Sequence, residues 1–181
     1  MKYDLPISRE HFCVPAVLQA VLRNEGYDIE QNDIASVLGV NIPSEKAEDY
    51  QNIVGIKLTE DEKMWGVVLH KNSVNDLFNY FGIKLHEDYI PISTIAEEVF
   101  FDTIKNCLSN YNHLICGFNY SALFGNSDRE FGHVALICEV DKCENISILD
   151  PGPLNSGYKS VKSDDLYYAI KRISDGLWCI S

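Results

Sequence analysis

Helical and strand-like patterns occupy different parts of this sequence, and their separation most constrains its fold. Helical spacing of apolar residues predicts four helices with defined bounds, over 13–23, 31–38, 73–81 and 164–172. It predicts a fifth that begins at Ser93 or Thr94 and ends at about Leu108. Strand patterns follow Tyr111 and cover 113–120, 131–140, 145–149, 158–161 and 177–180. Because helices come first and strands later, the pattern favours a segregated α+β fold over a parallel α/β one.

The segment from Ile42 to Trp65 is polar and irregular, which predicts a loop with one short helical piece. The chain has 181 residues, a length typical of one domain that is stable without metal or disulfides. We therefore predict a single domain over 1–181, with a helical part over about 1–110 and a sheet part over about 111–181.

The balance of charge limits the partners of this chain. Its formal net charge is −12, and its longest basic run is Lys171-Arg172. This argues against nucleic acid and anionic membranes, since both are bound through clustered Lys and Arg. The sequence has no 18-residue apolar run and no apolar stretch in its first residues, MKYDLP. We therefore expect no transmembrane helix, no secretory signal and a cytoplasmic location, with other secretion routes left open.

The position of Cys13 makes it the predicted nucleophile among six cysteines, which we expect to be reduced. Cys13 opens the strongest amphipathic helix, and the partial positive charge of a helix N-terminus stabilises the reactive thiolate. The backbone N–H of Cys13 is a candidate donor to an oxyanion. Four other cysteines fall within strand patterns or inside a helix: Cys107, Cys116, Cys138 and Cys179.

His133 is the predicted partner of that thiol. It stands at the start of the clearest strand pattern, after a loop from Gly125 to Gly132, and the next strand pattern ends at Asp150-Pro151. If these strands form a hairpin, Asp150 returns beside His133 and can accept its second ring N–H, which fixes the tautomer. The sequence thus predicts the catalytic residues Cys13, His133 and Asp150.

A zinc site is the alternative use of several of these residues. His11 and Cys13 are two residues apart, and Cys138 and Cys143 are five apart. Neither spacing matches the paired ligands of structural zinc sites, in which two cysteines two to four residues apart are followed by a second pair. We therefore expect no metal and no cofactor.

Three motifs together resemble the C39-like family of the papain-like cysteine peptidase superfamily. They are CVPAVL from Cys13, GHVALI from Gly132 and ILDP from Ile148. The resemblance covers most of the chain in order and is weak only over 41–93. It implies a papain-like fold with helices packed on a C-terminal antiparallel sheet, and a Cys-His-Asp triad acting on a peptide or other acyl substrate.

Two positions depart from the family pattern. The family has Gly after the nucleophile where this chain has Val14, and it has Gln five or six residues before the nucleophile, where this chain has Ser8 and Ile7. That Gln completes the oxyanion hole, and the loss of one such donor costs about 3–4 kcal/mol of transition-state stabilisation. Candidate substitutes are Arg9, Glu10 and His11, or a side chain from the predicted sheet.

Three functions fit the sequence. The first is a cysteine peptidase or amide hydrolase that transfers an acyl group from Cys13 to water. The second is an acyltransferase that passes the same thioester to an amine. The third, favoured by Val14 and the missing Gln, is a binding module that keeps the fold without turnover. The oligomeric state is left open.

Overall fold

The computed structural model describes residues 2–4, 7–70, 73–125, 131–153 and 155–181. The chain divides into two units. The helical unit comprises Tyr3–His86 and Pro151–Asn155, and the sheet unit comprises Glu87–Asp150 and Ser156–Ser181 together with Lys2. The predicted single domain over 1–181 stays a prediction.

The helical unit is built around α1, Cys13–Asn24, whose residues are buried without interruption from Val14 to Leu22. Pro15 lies in the first turn, where its missing N–H leaves no hydrogen bond unmade. Gly26 follows the helix with φ 85°, a conformation that favours glycine. The remaining helices of the unit are α2 (Gln31–Leu38), α3 (Ala47–Tyr50) and α4 (Ser73–Phe81). The helices predicted over 13–23, 31–38 and 73–81 are thereby confirmed.

Two strands in the helical unit correct the predicted loop between Ile42 and Trp65. Strand β1, Val40–Pro43, pairs in parallel with β2, Ile56–Thr59. The loop prediction was wrong here because each strand has four residues, too few for an alternating pattern to stand out. The short helical piece predicted in this segment is α3. A buried cluster joins β1 to the start of α1: Phe12, Ala35, Val40, Ile42 and Tyr50.

The sheet unit contains six strands in the order β3-β8-β4-β5-β6-β7, and every neighbouring pair is antiparallel. The strands are β3 (Glu87–Pro91), β4 (His113–Asn119), β5 (Gly132–Val140), β6 (Asn145–Asp150), β7 (Gly157–Lys162) and β8 (Gly176–Ile180). Its helices are α5 (Glu97–Asn110), α6 (Tyr120–Phe124) and α7 (Ser163–Arg172). Five of these strands match the predicted ones, and the segregated α+β fold is confirmed.

Two features near the start of this unit differ from the sequence prediction. Strand β3 was not predicted, and helix α5 begins at Glu97 rather than at Ser93 or Thr94. The Thr94 hydroxyl donates to the Pro91 carbonyl oxygen at 2.7 Å, within a short 3₁₀ helix over Ile92–Thr94. The hydroxyl that resembled a helix cap therefore closes a separate turn.

One face of the six-stranded sheet carries the main apolar core of its unit. Its strand residues alternate, as expected when one face is buried under helices. They include Leu114 and Cys116 of β4, Ala135 and Ile137 of β5, and Ile148 of β6. The β5–β6 hairpin predicted from the sequence is present, with Leu136 opposite Leu149. Among the described residues, no helix combines the length and apolar character needed to cross a membrane.

Candidate active site

Cys13 is the first residue of α1 in the helical unit and is partly exposed. No side chain caps this helix start, and the first turn contains no acidic residue. The first N–H groups of a helix have no intrahelical acceptor, so their partial positive charge is left to act on the thiol. The Cys13 backbone N–H is one of these groups and is therefore a candidate donor.

Four of the other five cysteines are buried in the sheet unit. Burial raises the pKa of Cys116, and it raises the pKa of Cys138 to about 11. Cys107 and Cys179 are buried with their sulfur atoms 3.4 Å apart. Cys143 is exposed but lies in the turn between β5 and β6. None of the six cysteines, all of which lie in the described ranges, is in a disulfide.

The two positions where the family has its oxyanion Gln offer no equivalent donor. The Ile7 side chain is apolar and 71% exposed. Ser8 is buried, and its hydroxyl donates to the Arg9 carbonyl oxygen at 2.6 Å. A hydroxyl committed to its own neighbour is not available to a developing oxyanion.

His11 is the unusual residue among the three candidate substitutes. It has φ 65°, a left-handed conformation uncommon outside glycine. Its ring packs edge-on against Trp65 with centroids 5.5 Å apart. Within the described ranges its buried Nε2 atom makes no hydrogen bond, and the Glu10 carboxylate lies 3.8 Å away. Burial lowers the pKa of His11, and Glu10, which also pairs with Lys46, partly offsets this effect.

His133 and Asp150 form a buried pair in the sheet unit. Nε2 of His133 lies 2.8 Å from Oδ1 of Asp150, and the two side chains are 8% and 0% exposed. The register explains this contact. Leu136 pairs with Leu149, so Asp150 at the end of β6 and His133 near the start of β5 are diagonal neighbours on one face. Residues 126–130 of the predicted Gly125–Gly132 loop lie outside the described residues.

Aromatic rings surround the imidazole. Phe118 and Tyr120 each approach it edge-on, with centroid distances of 5.6 and 5.3 Å. Tyr120 also stacks on Phe131. Burial, and then the negative charge of Asp150, raise the pKa of Tyr120. The Tyr120 phenol therefore stays neutral at physiological pH. The packing of the aromatic rings orients the His133 imidazole in addition to its hydrogen bond with Asp150.

Lys159 is the member of this cluster that sequence reasoning missed. It lies on β7, and its ammonium forms an ion pair with Oδ2 of Asp150. Asp150 therefore has a nitrogen partner at each carboxylate oxygen, as a fully buried carboxylate requires. The available signal was a third strand pattern, 158–161, directly after the β5–β6 hairpin.

The three predicted catalytic residues are thus divided between the units. His133 and Asp150 are in contact within the sheet unit, whereas Cys13 belongs to the helical unit. The pairing of Cys13 with His133 stays a prediction. In the described part of the chain, no three His, Cys, Asp or Glu side chains are grouped so that they could hold a metal ion.

Comparison with solved structures identifies the fold. A protein of Bacillus anthracis assigned as a C39-like peptidase has a TM-score of 0.61 and 14% sequence identity, covering 100% of this chain and 98% of that one. The peptidase domain of Streptococcus ComA, a bifunctional ABC transporter involved in a quorum-sensing pathway, has a TM-score of 0.56 and 14% identity. Here 99% of this chain and 96% of that chain are covered.

Comparisons of sequence alone give no match: no protein-family model and no curated protein matches this chain. The structural similarity therefore establishes the C39-like, papain-like fold and confirms the family resemblance at that level. At 14% identity, it leaves the catalytic residues and the activity as predictions.

Proposed function

We propose that this protein is a thiol-dependent acyl-transfer enzyme, a cysteine peptidase or amide hydrolase that uses Cys13, His133 and Asp150. The observation that carries the proposal is the buried hydrogen bond between His133 Nε2 and Asp150 Oδ1, at 2.8 Å. A carboxylate at Nε2 leaves Nδ1 as the ring nitrogen that exchanges a proton with the thiol. The C39-like fold and the position of Cys13 at a helix N-terminus support the same assignment.

The proposed reaction has two halves. Cys13 Sγ attacks the substrate carbonyl carbon while His133 takes the thiol proton, and the carbonyl electrons move onto oxygen beside the Cys13 N–H. His133 then gives its proton to the leaving nitrogen, the C–N bond breaks, and a thioester remains. Water then loses a proton to His133 and attacks the thioester carbon. The C–S bond breaks, the carboxylic acid is released, and His133 returns the proton to Cys13 Sγ.

The experiment that tests the proposal is the pH dependence of iodoacetamide alkylation at Cys13, measured by mass spectrometry in wild type and His133→Ala. Exposed Cys143 is a reference thiol within the same molecule. We expect Cys13 to be alkylated faster than Cys143 near neutral pH, and this difference to shrink in His133→Ala. His70→Ala, which removes an exposed histidine of the helical unit, is the matched control.

Two outcomes separate the enzyme from the binding module that Val14 and the missing Gln favour. A Cys13 profile that coincides with that of Cys143 and ignores His133→Ala leaves a non-catalytic module on this fold. A low midpoint that depends on His133 supports the enzyme and justifies a substrate search.

The cytoplasmic location belongs to the same proposal, because a catalytic thiol stays reduced there.

The acceptor is tested separately, because an acyltransferase would form the same thioester. A peptide mixture incubated with the protein and glycinamide, an ordinary amine, gives mainly carboxylic acids if water is the acceptor. It gives mainly glycinamide adducts if the thioester is passed to an amine. Mass spectrometry of the products distinguishes the two, with Cys13→Ala as the control.

A further inference from the structure

The Asp150 carboxylate bridges two nitrogen groups that come from different neighbouring strands. Its Oδ1 lies 2.8 Å from His133 Nε2 of β5, and its Oδ2 accepts from the Lys159 ammonium of β7. The side chain of Asp150 is 0% exposed and that of Lys159 is 15% exposed. A carboxylate removed from water to this extent is destabilised unless its charge is compensated.

The strand register holds Lys159 in this position. Lys159 stands opposite Ile148, and Asp150 stands opposite Gly157. Lys159 and Asp150 are therefore diagonal neighbours on one face of the sheet. His133 is the equivalent diagonal neighbour on the β5 side.

Aromatic rings also hold the ammonium. Nζ of Lys159 lies 4.8 Å from the centroid of the Phe124 ring and 5.9 Å from that of Tyr120, both within the range of cation–π attraction. Tyr120 contacts the His133 ring as well. The ammonium and the imidazole are thus held on opposite sides of one carboxylate, with a common aromatic neighbour.

The charges of this cluster control the proton on His133. When Asp150 is ionised and Lys159 is charged, the three side chains together have a net charge of zero if His133 is neutral, and of +1 if His133 is an imidazolium. Without the lysine, the imidazolium form would balance the carboxylate and would therefore be favoured. Tyr120, a titratable side chain whose pKa is raised in part by the charge of Asp150, is neutral and changes neither balance.

We infer that Lys159 is a positioning residue that compensates the charge of Asp150, so that Asp150 orients His133 without holding it permanently protonated. This inference rests on the proposed function, in which His133 must both take and give a proton. An imidazolium stabilised by an uncompensated carboxylate would be a weaker acid towards the leaving nitrogen. With Lys159 in place, the Asp150 carboxylate does not by itself favour the imidazolium, so that His133 can both take and give a proton.

The test is the titration of the His133 ring, followed by nitrogen-15 NMR and assigned with His133→Gln among the five histidines. In Lys159→Met we expect the midpoint to rise by about one pH unit. Lys159→Arg, which keeps the charge, should restore the wild-type midpoint. Lys162→Met removes a charge from the exposed end of the same strand and should leave the midpoint unchanged.

Other outcomes overturn the inference. The inference is wrong if the His133 midpoint is unchanged or lower in Lys159→Met. It is also wrong if the midpoint rises equally in Lys162→Met, because the shift would then reflect only the change in net charge. Lys159→Gln keeps a hydrogen-bond donor without the charge and should behave as Lys159→Met does. If neither variant folds, acetylation of the wild-type protein decides: Lys159 should react more slowly than Lys162, and equal rates contradict the ion pair.

The same titration is repeated in Cys13→Ala, so that it does not depend on the thiol. If the alkylation experiment fails while Lys159→Met still raises the His133 midpoint, the proposed function is wrong and the role of Lys159 on the His133–Asp150 pair stands. If alkylation of Cys13 depends on His133 as expected, but the His133 midpoint does not move in Lys159→Met, only the role of Lys159 is wrong.

Discussion

Replacing Gly117 with alanine should destabilise the sheet unit because the position has no room for a side chain. A Cβ atom there would lie 1.8 Å from Oδ2 and 2.6 Å from Cγ of Asp175. The carboxylate would have to move away, although its Oδ1 accepts from the Gly176 N–H at 2.8 Å, the Tyr89 hydroxyl at 3.2 Å and the Trp178 indole N–H at 3.3 Å. Ordinary van der Waals contacts cannot absorb an overlap of this size.

The magnitude follows from the hydrogen bonds at risk. A bond to a charged group contributes about 1.5–3 kcal/mol, and long bonds contribute less, so losing the two longer bonds and weakening the third costs about 3 kcal/mol. For a protein of this size that corresponds to a fall in Tm of about 6–12 °C. The assay is urea and thermal denaturation followed by circular dichroism.

Gly132→Ala is the matched control for this prediction. It also lies in a strand of the same sheet, but among the described residues an added Cβ would meet only Ile173, at 3.8 Å. The stability of this variant should therefore change little or rise slightly. In an Asp175→Ala background the cost of Gly117→Ala should fall below about 1 kcal/mol, because the clashing atoms are gone. The reasoning is refuted if Gly117→Ala is as stable as Gly132→Ala, or if the double variant shows no coupling.

The remaining predictions use the same purified protein. In the native state iodoacetamide should label exposed Cys143 readily and buried Cys116 only after unfolding; comparable labelling of both would contradict the burial. Asp150→Asn, which leaves two basic groups facing a neutral amide, should cost about 3–5 kcal/mol in urea denaturation, and a change below about 1 kcal/mol would disprove the charged cluster. Because burial lowers the pKa of His11 in the folded protein, the unfolded chain binds more protons than the folded one below pH ~6.5, and acid favours unfolding. Between pH 7 and 5, the Tm of the wild type should therefore fall more than the Tm of His11→Asn. Equal slopes of Tm against pH in the two proteins would refute this.

Local sequence predicted the half of the candidate site that depends on one hairpin. His133 and Asp150 lie on consecutive strands joined by a short turn, so the pairing of β5 with β6 brings them together. Lys159 needed a further step, the register of β6 against β7. That register depends on the connection over 151–156, which is longer than a two-residue hairpin loop. The amino-acid types in a connection of this length do not predict its backbone geometry.

Long-range pairing explains the parts of the fold that were missed. Strand β3 pairs with β8, near the other end of the chain, so no local turn marks it as a strand. Strands β1 and β2 are short and pair in parallel across a helical connection. By contrast, α1 and α2 carry their own periodicity and their own glycine stops, so that sequence alone predicted them well.

The diagonal placement of His133, Asp150 and Lys159 on three consecutive strands limits how this chain can diverge during evolution. One residue inserted within β6 would send the side chains beyond it to the opposite face of the sheet, and the carboxylate would lose both nitrogen partners at once. Substitutions elsewhere in the strands leave the alternation intact. Insertions and deletions within these three strands should therefore be rare, and β5, β6 and β7 should keep their lengths.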